Sequence, residues 1–134
     1  MKVFLFLISI FSVTSFSGNT IGATNSYQCQ ITSDATIGDD GNIAIHPKSL
    51  NLGKKFAVDR KTGVVIGDVF FTFGEPKVFA VGSKDNAFKV IWIKNAGGSN
   101  GMFIDYLSIE EFAKGDKKPF AYFTGSQITS GLCE

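Results

Sequence analysis

AFKVIWIK, residues Ala87 to Lys94, is the stretch of sequence that decides the fold. Its β-branched and aromatic residues favour an extended strand. Apolar side chains occupy both alternating sets except at Lys89 and Lys94, which is typical of a central strand covered on both faces. We therefore predict that residues 87–94 form a central strand of a sheet, with a second layer or a closed barrel around it.

Shorter runs of similar composition flank this strand, and each is bounded by Gly, Asp, Asn or Pro. Such spacing indicates strands joined by tight turns. The predicted strands are Tyr27 to Thr32, Asn42 to Ile45, Lys55 to Val58, Val64 to Gly67, Val69 to Phe73, Lys77 to Val81, Met102 to Ile109, Pro119 to Thr124 and Gln127 to Cys133. The segment Glu110 to Lys114 is compatible with one short helix. The sequence thus predicts an all-β fold, a small antiparallel meander that forms either a barrel or a two-layer sandwich.

The N-terminus has the layout of a secretory signal peptide. Lys2 supplies a basic start, and Val3 to Val13 form an uncharged apolar run. This run covers about half of the roughly 20 residues that a membrane-spanning helix needs. Small residues allow cleavage after Ser17 or after Ala23, and we take the later site. We therefore predict a signal peptide over residues 1–23, a single β domain over residues 24–134, no transmembrane anchor after signal removal, and a periplasmic or extracellular location.

Charge gives no sign of a nucleic-acid partner. The chain has 13 basic and 12 acidic residues, and Lys2 is the only charged residue of the signal segment. The mature chain therefore carries no formal net charge, whereas nucleic-acid-binding domains carry basic patches. We expect the partner to be an envelope protein or a small molecule, and we predict no cofactor.

The two cysteines, Cys29 and Cys133, lie near the two ends of the mature chain. In an oxidising compartment, an even pair of cysteines in a small domain indicates a disulfide. A redox-active pair would need Cys-x-x-Cys spacing and an electropositive helix start, and the sequence has neither. We predict a disulfide staple, which closes a loop of about 105 residues and is worth roughly 4 to 5 kcal/mol in the chain-entropy model.

A polar pentapeptide, Asp59 to Gly63, lies between two predicted strands and has two interpretations. In the structural one, Asp59 accepts hydrogen bonds from backbone N–H groups of the turn, and Gly63 takes a positive φ. In the functional one, Arg60 and Lys61 present two cations to an anionic group, which Arg can bind through two parallel hydrogen bonds. Asp59, Arg60 and Lys61 are therefore the candidate ligand- or partner-binding residues.

The stretch Phe56 to Gly63, FAVDRKTG, lies between an early Tyr27-Gln28-Cys29 and Cys133 near the C-terminus. In these elements the chain resembles a family of small exported bacterial proteins of unassigned function, which carry a Phe-x-Val-Asp-Arg-Lys-Thr-Gly stretch and a terminal cysteine pair. The resemblance covers most of the mature chain, including the turn Gly82-Ser83-Lys84. It implies a bacterial, periplasmic or cell-surface setting, and it brings no catalytic residues.

Histidine chemistry has little support in the sequence. His46 is the only histidine and stands directly before Pro47, which favours an extended or loop conformation. A zinc site needs three or four ligands, and no His-x-His or Cys-x-x-Cys accompanies His46. We therefore interpret His46 as a surface residue and predict no metal site.

The acidic residues also lack a catalytic or calcium-binding pattern. Glu110 and Glu111 are adjacent, so their side chains diverge on a strand or a helix and do not form a glycosidase pair. We interpret both as solvated charges. Asp34, Asp39 and Asp40 are not part of a twelve-residue calcium loop with its terminal glutamate. No catalytic residue is predicted.

These observations favour a non-enzymatic binding or interaction module of the bacterial envelope. An enzyme with an unrecognised site that uses Asp59, Arg60 or His46 stays open, because sites assemble in space. A small barrel that carries an apolar ligand is a third alternative, and it would need a cavity lined by Phe residues and Trp92. Neighbouring aromatics on one strand face opposite ways, so either both faces of the sheet are covered or some aromatics line a pocket or an interface.

Overall fold

The computed structural model describes residues 25–67, 69, 74–95 and 101–134. The signal peptide predicted over residues 1–23 lies outside them, as does most of the strand predicted over residues 69–73. The described residues form nine strands and no helix. The strands are β1 (Ser26–Ile37), β2 (Ile43–Ile45), β3 (Lys55–Asp59), β4 (Val65–Ile66), β5 (Pro76–Ser83), β6 (Asn86–Asn95), β7 (Met102–Ile109), β8 (Lys118–Thr124) and β9 (Gln127–Cys133).

All nine strands belong to one antiparallel sheet, in the order β4-β3-β1-β9-β8-β7-β6-β5, with β2 paired to the second half of β1. Strands β5 to β9 follow one another as a meander, and the sheet curls into a half-barrel. The predicted all-β antiparallel meander is therefore confirmed. Its strand at residues 87–94 is β6, which lies between β5 and β7.

The short helix with which the sequence of Glu110 to Lys114 is compatible does not form, because this segment is a turn. The Glu110 N–H donates to the Pro119 carbonyl and so continues the pairing of β7 with β8. Lys118 Nζ donates a hydrogen bond of 2.7 Å to the Ala113 carbonyl, which a continuing helix would need as an acceptor. The local hydrogen bonds therefore close a tight connection between two strands.

The hydrophobic core lies on the concave face of the curled sheet. Alternate residues of β6 point into it: Phe88, Val90 and Trp92 are at most 2% exposed. Aromatic rings from distant strands meet there, such as Phe56 and Phe120, whose centroids lie 5.1 Å apart edge to face. The remaining buried members of the cluster come mainly from the other strands: Tyr27, Cys29, Ile31, Val58, Val69, Leu107, Ile109, Tyr122 and Cys133.

The turn between β3 and β4 packs onto the concave side of the opposite end of the sheet. Gly63 has a φ of 75°, and a Cβ added to it would lie 2.6 Å from the Val90 Cγ2 and 3.2 Å from the Val78 Cγ2. Only glycine fits this close approach and this backbone conformation. The turn that contains Asp59, Arg60 and Lys61 is thereby held against β5 and β6.

The convex face of β6 is open to solvent, which corrects the prediction that this strand is covered on both faces. On this face Ile93 is 43% exposed, Ile91 is half-buried and Lys89 is exposed. The apolar residues on this face therefore do not belong to the hydrophobic core on the concave face. They form a surface instead.

The predicted disulfide joins Cys29 and Cys133. Gln28 and Glu134 exchange both of their backbone hydrogen bonds, so the next pair in the β1–β9 ladder, Cys29 with Cys133, is a non-hydrogen-bonded pair. Side chains are closest at such pairs, and the two Cα atoms lie 3.9 Å apart. The disulfide fastens the first and last strands of the sheet together.

Candidate functional site

The turn from Asp59 to Gly63 is built around the Asp59 carboxylate. Its Oδ1 accepts hydrogen bonds from the Thr62 N–H at 2.7 Å, the Thr62 hydroxyl at 2.8 Å and the Lys61 N–H at 3.0 Å. The hydrogen bonds from Thr62, followed by that from Lys61, lower the pKa of Asp59. Asp59 thus shapes the turn, as its structural interpretation predicts.

Arg60 does not project freely from the turn. Its Nη2 forms an ion pair with Oε1 of Glu111, and its guanidinium carbon lies 4.7 Å from the centroid of the Tyr27 ring. The Arg60 side chain is 34% exposed and that of Glu111 only 15% exposed. The interpretation of Glu111 as a solvated charge is therefore wrong, because Glu111 is the partner of the candidate cation.

The Tyr27 hydroxyl is the buried polar atom of this cluster. Among the described residues it has no hydrogen-bond partner, although it lies beside Glu111. Burial, followed by the nearby Glu111 carboxylate, raises the pKa of Tyr27. A Cβ on Gly82 would lie 2.9 Å from both the Tyr27 hydroxyl and the Glu111 Oε2, so the end of β5 covers this cluster closely.

Lys61 is the member of the turn that stays available. Its side chain is exposed and forms no ion pair or hydrogen bond within the part of the chain that the structure describes. The turn therefore brings Asp59, Arg60 and Lys61 together, but it presents one free ammonium group to solvent. A single ammonium can attract an anion without fixing its orientation.

His46 lies in the loop after β2, far from this turn in the sheet. Its Nε2 is 2.9 Å from the Thr36 hydroxyl, and its backbone N–H donates to the Asp34 carbonyl. Residues 46–50, together with Asp34, line a shallow surface pocket. The structure does not bring His46 near Asp59 or Arg60, which the enzyme alternative would use.

Asp34 is a buried carboxylate whose four hydrogen bonds all come from side chains. Oδ1 accepts from Gln127 and Thr129 at 3.0 Å each, and Oδ2 accepts from Ser49 and from Asn51 at 3.2 Å. Burial alone would raise the pKa of Asp34, but these hydrogen bonds outweigh it and lower the pKa. Through these hydrogen bonds Asp34 fastens the loop of Ser49 and Asn51 to β1 and β9. Both oxygens of its carboxylate are occupied by donors, so Asp34 is poorly placed to act as a base.

The convex face carries a continuous row of apolar residues that crosses six strands. Register places one such residue on each strand from β6 through β7, β8, β9 and β1 to β2. We call these residues the apolar row: Ile91, Tyr106, Phe123, Ile128, Ala35 and Ile45. The Tyr106 and Phe123 rings stack with centroids 6.0 Å apart.

A second line of apolar residues runs beside this row, toward the same end of the strands. Ile93 pairs with Ile104 on β6 and β7, and Ile37 pairs with Ile43 on β1 and β2. These four residues are between 43% and 63% exposed. We call the apolar row and these four residues together the apolar band. On the other side of the row, register places a line of mostly polar residues: Lys89, Ser108, Ala121, Ser130 and Ser33.

Residue patterns of the sequence left open whether the second face of the sheet is covered or forms an interface, and they did not identify the residues of this band. Tyr122 and Phe123 are adjacent in sequence, as are Trp92 and Ile93, and adjacent residues of a strand point to opposite faces. These pairs therefore predict apolar residues on both faces of the sheet. Only the register shows that the outer residues line up from strand to strand, and only their exposure among the described residues makes them a surface; within the row Ala35 is buried, whereas Phe123 and Ile45 are exposed. The same holds for the Arg60–Glu111 pair, whose partners come from separate turns.

No family model, no curated protein and no solved structure matches this chain. The resemblance to small exported bacterial proteins therefore stays a prediction. Within residues 25–67, 69, 74–95 and 101–134, no group of three or more His, Cys, Asp or Glu side chains is placed to hold a metal ion. The same residues include no helix long and apolar enough to cross a membrane.

Proposed function

We propose that this protein is a non-enzymatic interaction module of the bacterial envelope and that it binds its partner through the apolar band. The observation that carries this proposal is the row of apolar residues across six strands, flanked by exposed Ile93 and Ile104. Contiguous exposed apolar patches on soluble domains mark interaction sites. Export is part of the proposal, and the Cys29–Cys133 disulfide supports it because such bonds persist in oxidising compartments.

The engagement of the polar candidates supports binding over catalysis. Asp59 is engaged within its turn, Arg60 is paired with Glu111, and Asp34 is saturated with hydrogen bonds. A general base needs a lone pair directed at a substrate, and a nucleophile needs a base within reach. Trp92, which the ligand-carrying alternative would place in a cavity wall, packs edge-on against Tyr122 at 6.5 Å. These contacts leave the convex face as the stronger candidate.

The experiment is a pull-down from envelope extract with the mature, oxidised protein as bait. We compare wild type with Ile104→Asp, which places a charge in the apolar band, and with Ser108→Asp, which places the same charge on the same strand and face outside it. A second bait, Lys61→Ala, tests the turn. Retained proteins and small molecules are identified by mass spectrometry.

We expect a partner that binds wild type and Ser108→Asp and is lost with Ile104→Asp. Retention by every variant would contradict the proposal. Loss only with Lys61→Ala would move the recognition site to the Asp59 to Gly63 turn. Near-ultraviolet circular dichroism of each bait confirms that the fold is retained.

A further inference from the structure

The two edges of the sheet differ in length. β4, at one edge, has two residues, whereas β5, at the other, has eight. Among the described residues β5 pairs with β6 alone, and no further backbone hydrogen bond joins residues 76–83 to another part of the described chain. In an antiparallel ladder, alternate N–H and C=O groups point away from the paired strand. The outer side of β5 is therefore a row of hydrogen-bonding groups that can receive another strand.

An open groove of about 500 Å³ follows this edge, and it is lined by Val78 to Ser83 and by Asn86. Two apolar side chains project beside it, because Phe79 is 60% exposed and Val81 is 68% exposed. Phe79 shares the convex face with Lys77, whose Nζ lies 5.3 Å from the centroid of its ring. Register places Val81 beside Phe88, on the concave face. The edge thus presents apolar side chains on both sides of its backbone.

We propose that β5 binds an extended peptide segment of another protein, which adds to the sheet as a further strand. Strand addition takes its affinity from main-chain hydrogen bonds and its specificity from alternate side chains. Because Phe79 and Val81 lie on opposite faces, the segment needs β-branched or aromatic residues in both alternating sets. β5 carries no residue of the apolar band, so this inference goes beyond the proposed function.

The charges along the edge favour an acidic residue in the bound segment. Lys77 lies within β5, Lys89 lies opposite it on β6, and both are exposed. Glu75 and Asp85 lie beyond the two ends of β5, and Glu111, near its C-terminal end, is already in an ion pair. A carboxylate of the segment that lies beside Lys77 therefore forms a cross-strand pair of opposite charge.

Three features of β5 disfavour a second copy of this chain as the occupant. Pro76 has no N–H to donate, the ladder with β6 is irregular between Val78 and Ala80, and a second β5 would bring another Lys77 to the edge. Such devices discourage pairing between the edges of folded domains. A flexible peptide carries none of them, so it can adjust its backbone to that of β5.

The test is an NMR titration of mature, oxidised, isotope-labelled protein at low salt, followed by amide hydrogen exchange. The probe is a capped synthetic peptide of Val, Ile and Thr residues with one central Asp. We expect it to bind and to slow amide exchange within residues 76–83. A second peptide of the same charge has Pro at two adjacent central positions and so lacks N–H donors on both of its edges. This peptide should not bind.

Val81→Asp should raise the dissociation constant of the Asp peptide roughly 10-fold or more, because it replaces an apolar contact by a like charge. Leu50→Asp is the matched control, since Leu50 is an exposed apolar residue of the loop after β2. It should leave the dissociation constant unchanged. Near-ultraviolet circular dichroism confirms that both variants are folded.

The proposal is overturned if neither peptide binds at millimolar concentration, if both bind equally, or if Val81→Asp binds like wild type. Protection of amides on the convex face in place of β5 would overturn it as well. So would a dimer in sedimentation velocity whose β5 amides are protected without peptide, because the occupant would then be a second copy. The pull-down with Ile104→Asp does not involve β5, so the two proposals fail separately.

Discussion

The guanidinium carbon of Arg60 lies 4.7 Å from the centroid of the Tyr27 ring. This contact joins the β3–β4 turn to β1, while the ion pair of Arg60 with Glu111 joins it to the β7–β8 turn. Arg60 therefore connects three parts of the sheet. We therefore expect the loss of the Arg60 side chain to destabilise the fold.

We predict that Arg60→Ala lowers the free energy of unfolding by about 1 to 2 kcal/mol. The change removes a cation–π contact and leaves Glu111 without its partner beside the Tyr27 hydroxyl. Urea unfolding followed by Trp92 fluorescence measures the loss. Lys61→Ala, at the neighbouring exposed position, is the control and should change stability by less than about 0.5 kcal/mol. Equal effects of the two substitutions would show that the contacts of Arg60 are not stabilising.

Gly131→Ala should destabilise the protein by roughly 3 kcal/mol through overpacking. A Cβ at this position would overlap the Gln30 carbonyl oxygen and lie 2.8 Å from the Phe120 Cε1. Gly131 pairs with Ile31 directly before the bulge in β1, where the two strands approach closely. Gly125→Ala, at an open turn where an added Cβ meets nothing within 4 Å, is the comparison, although its positive φ adds a smaller strain. A wild-type melting temperature for Gly131→Ala would contradict the close approach.

Asp34 should make stability depend on pH in the acid range. Because its pKa in the folded state is lowered, its contribution is fully present above the unfolded pKa of about 4 and is lost as the pH falls through the folded pKa. Asp34→Asn places an amide N–H₂ against side-chain donors and should cost about 2 kcal/mol at neutral pH.

The measurement for Asp34 is a series of urea titrations from neutral pH downward. The difference in free energy of unfolding between wild type and Asp34→Asn should narrow as the pH falls, since the wild-type carboxyl group then also becomes uncharged. Asp39→Asn, at an exposed position, should show no such convergence. A constant difference across the series would count against the charge of Asp34 as the cause.

Reduction of the Cys29–Cys133 disulfide should lower stability by roughly 4 to 5 kcal/mol, because its two cysteines are separated by 104 positions in sequence. The double variant Cys29→Ser/Cys133→Ser should behave like the reduced protein and be insensitive to dithiothreitol. Wild-type stability in dithiothreitol, with free thiols confirmed by alkylation, would show that the staple contributes little.

Most of the fold follows from local sequence patterns, and its exceptions have physical reasons. Strands β6, β7 and β9 match their predicted bounds within two residues, because their apolar runs end at turn residues. Strand β1 was predicted to end at Thr32 but continues to Ile37. In the sequence alone, a polar residue such as Asp34 indicates a turn. In the structure Asp34 stays in the strand, because its hydrogen-bond donors Gln127 and Thr129 come from a distant segment of the chain.

The candidate site was less predictable than the fold. The hydrogen bonds of Asp59 lie within its own turn, so its structural interpretation could be reached from sequence. The pairing of Arg60 with Glu111 and the alignment of the apolar row depend on how distant strands meet. Neither has a local signature in the chain.

The β1–β9 ladder also constrains the order of folding. Strands β1 to β4 pair among themselves, strands β5 to β9 pair among themselves, and the ladder of β1 with β9 is the one backbone connection between these groups among the described strands. Because β9 follows the other described strands in the chain, each group can form its local hairpins early during vectorial synthesis while the sheet stays divided. The joining step requires contacts of the longest sequence separation, which are slow to form. Oxidation of Cys29 with Cys133 then seals the junction between the two groups of strands.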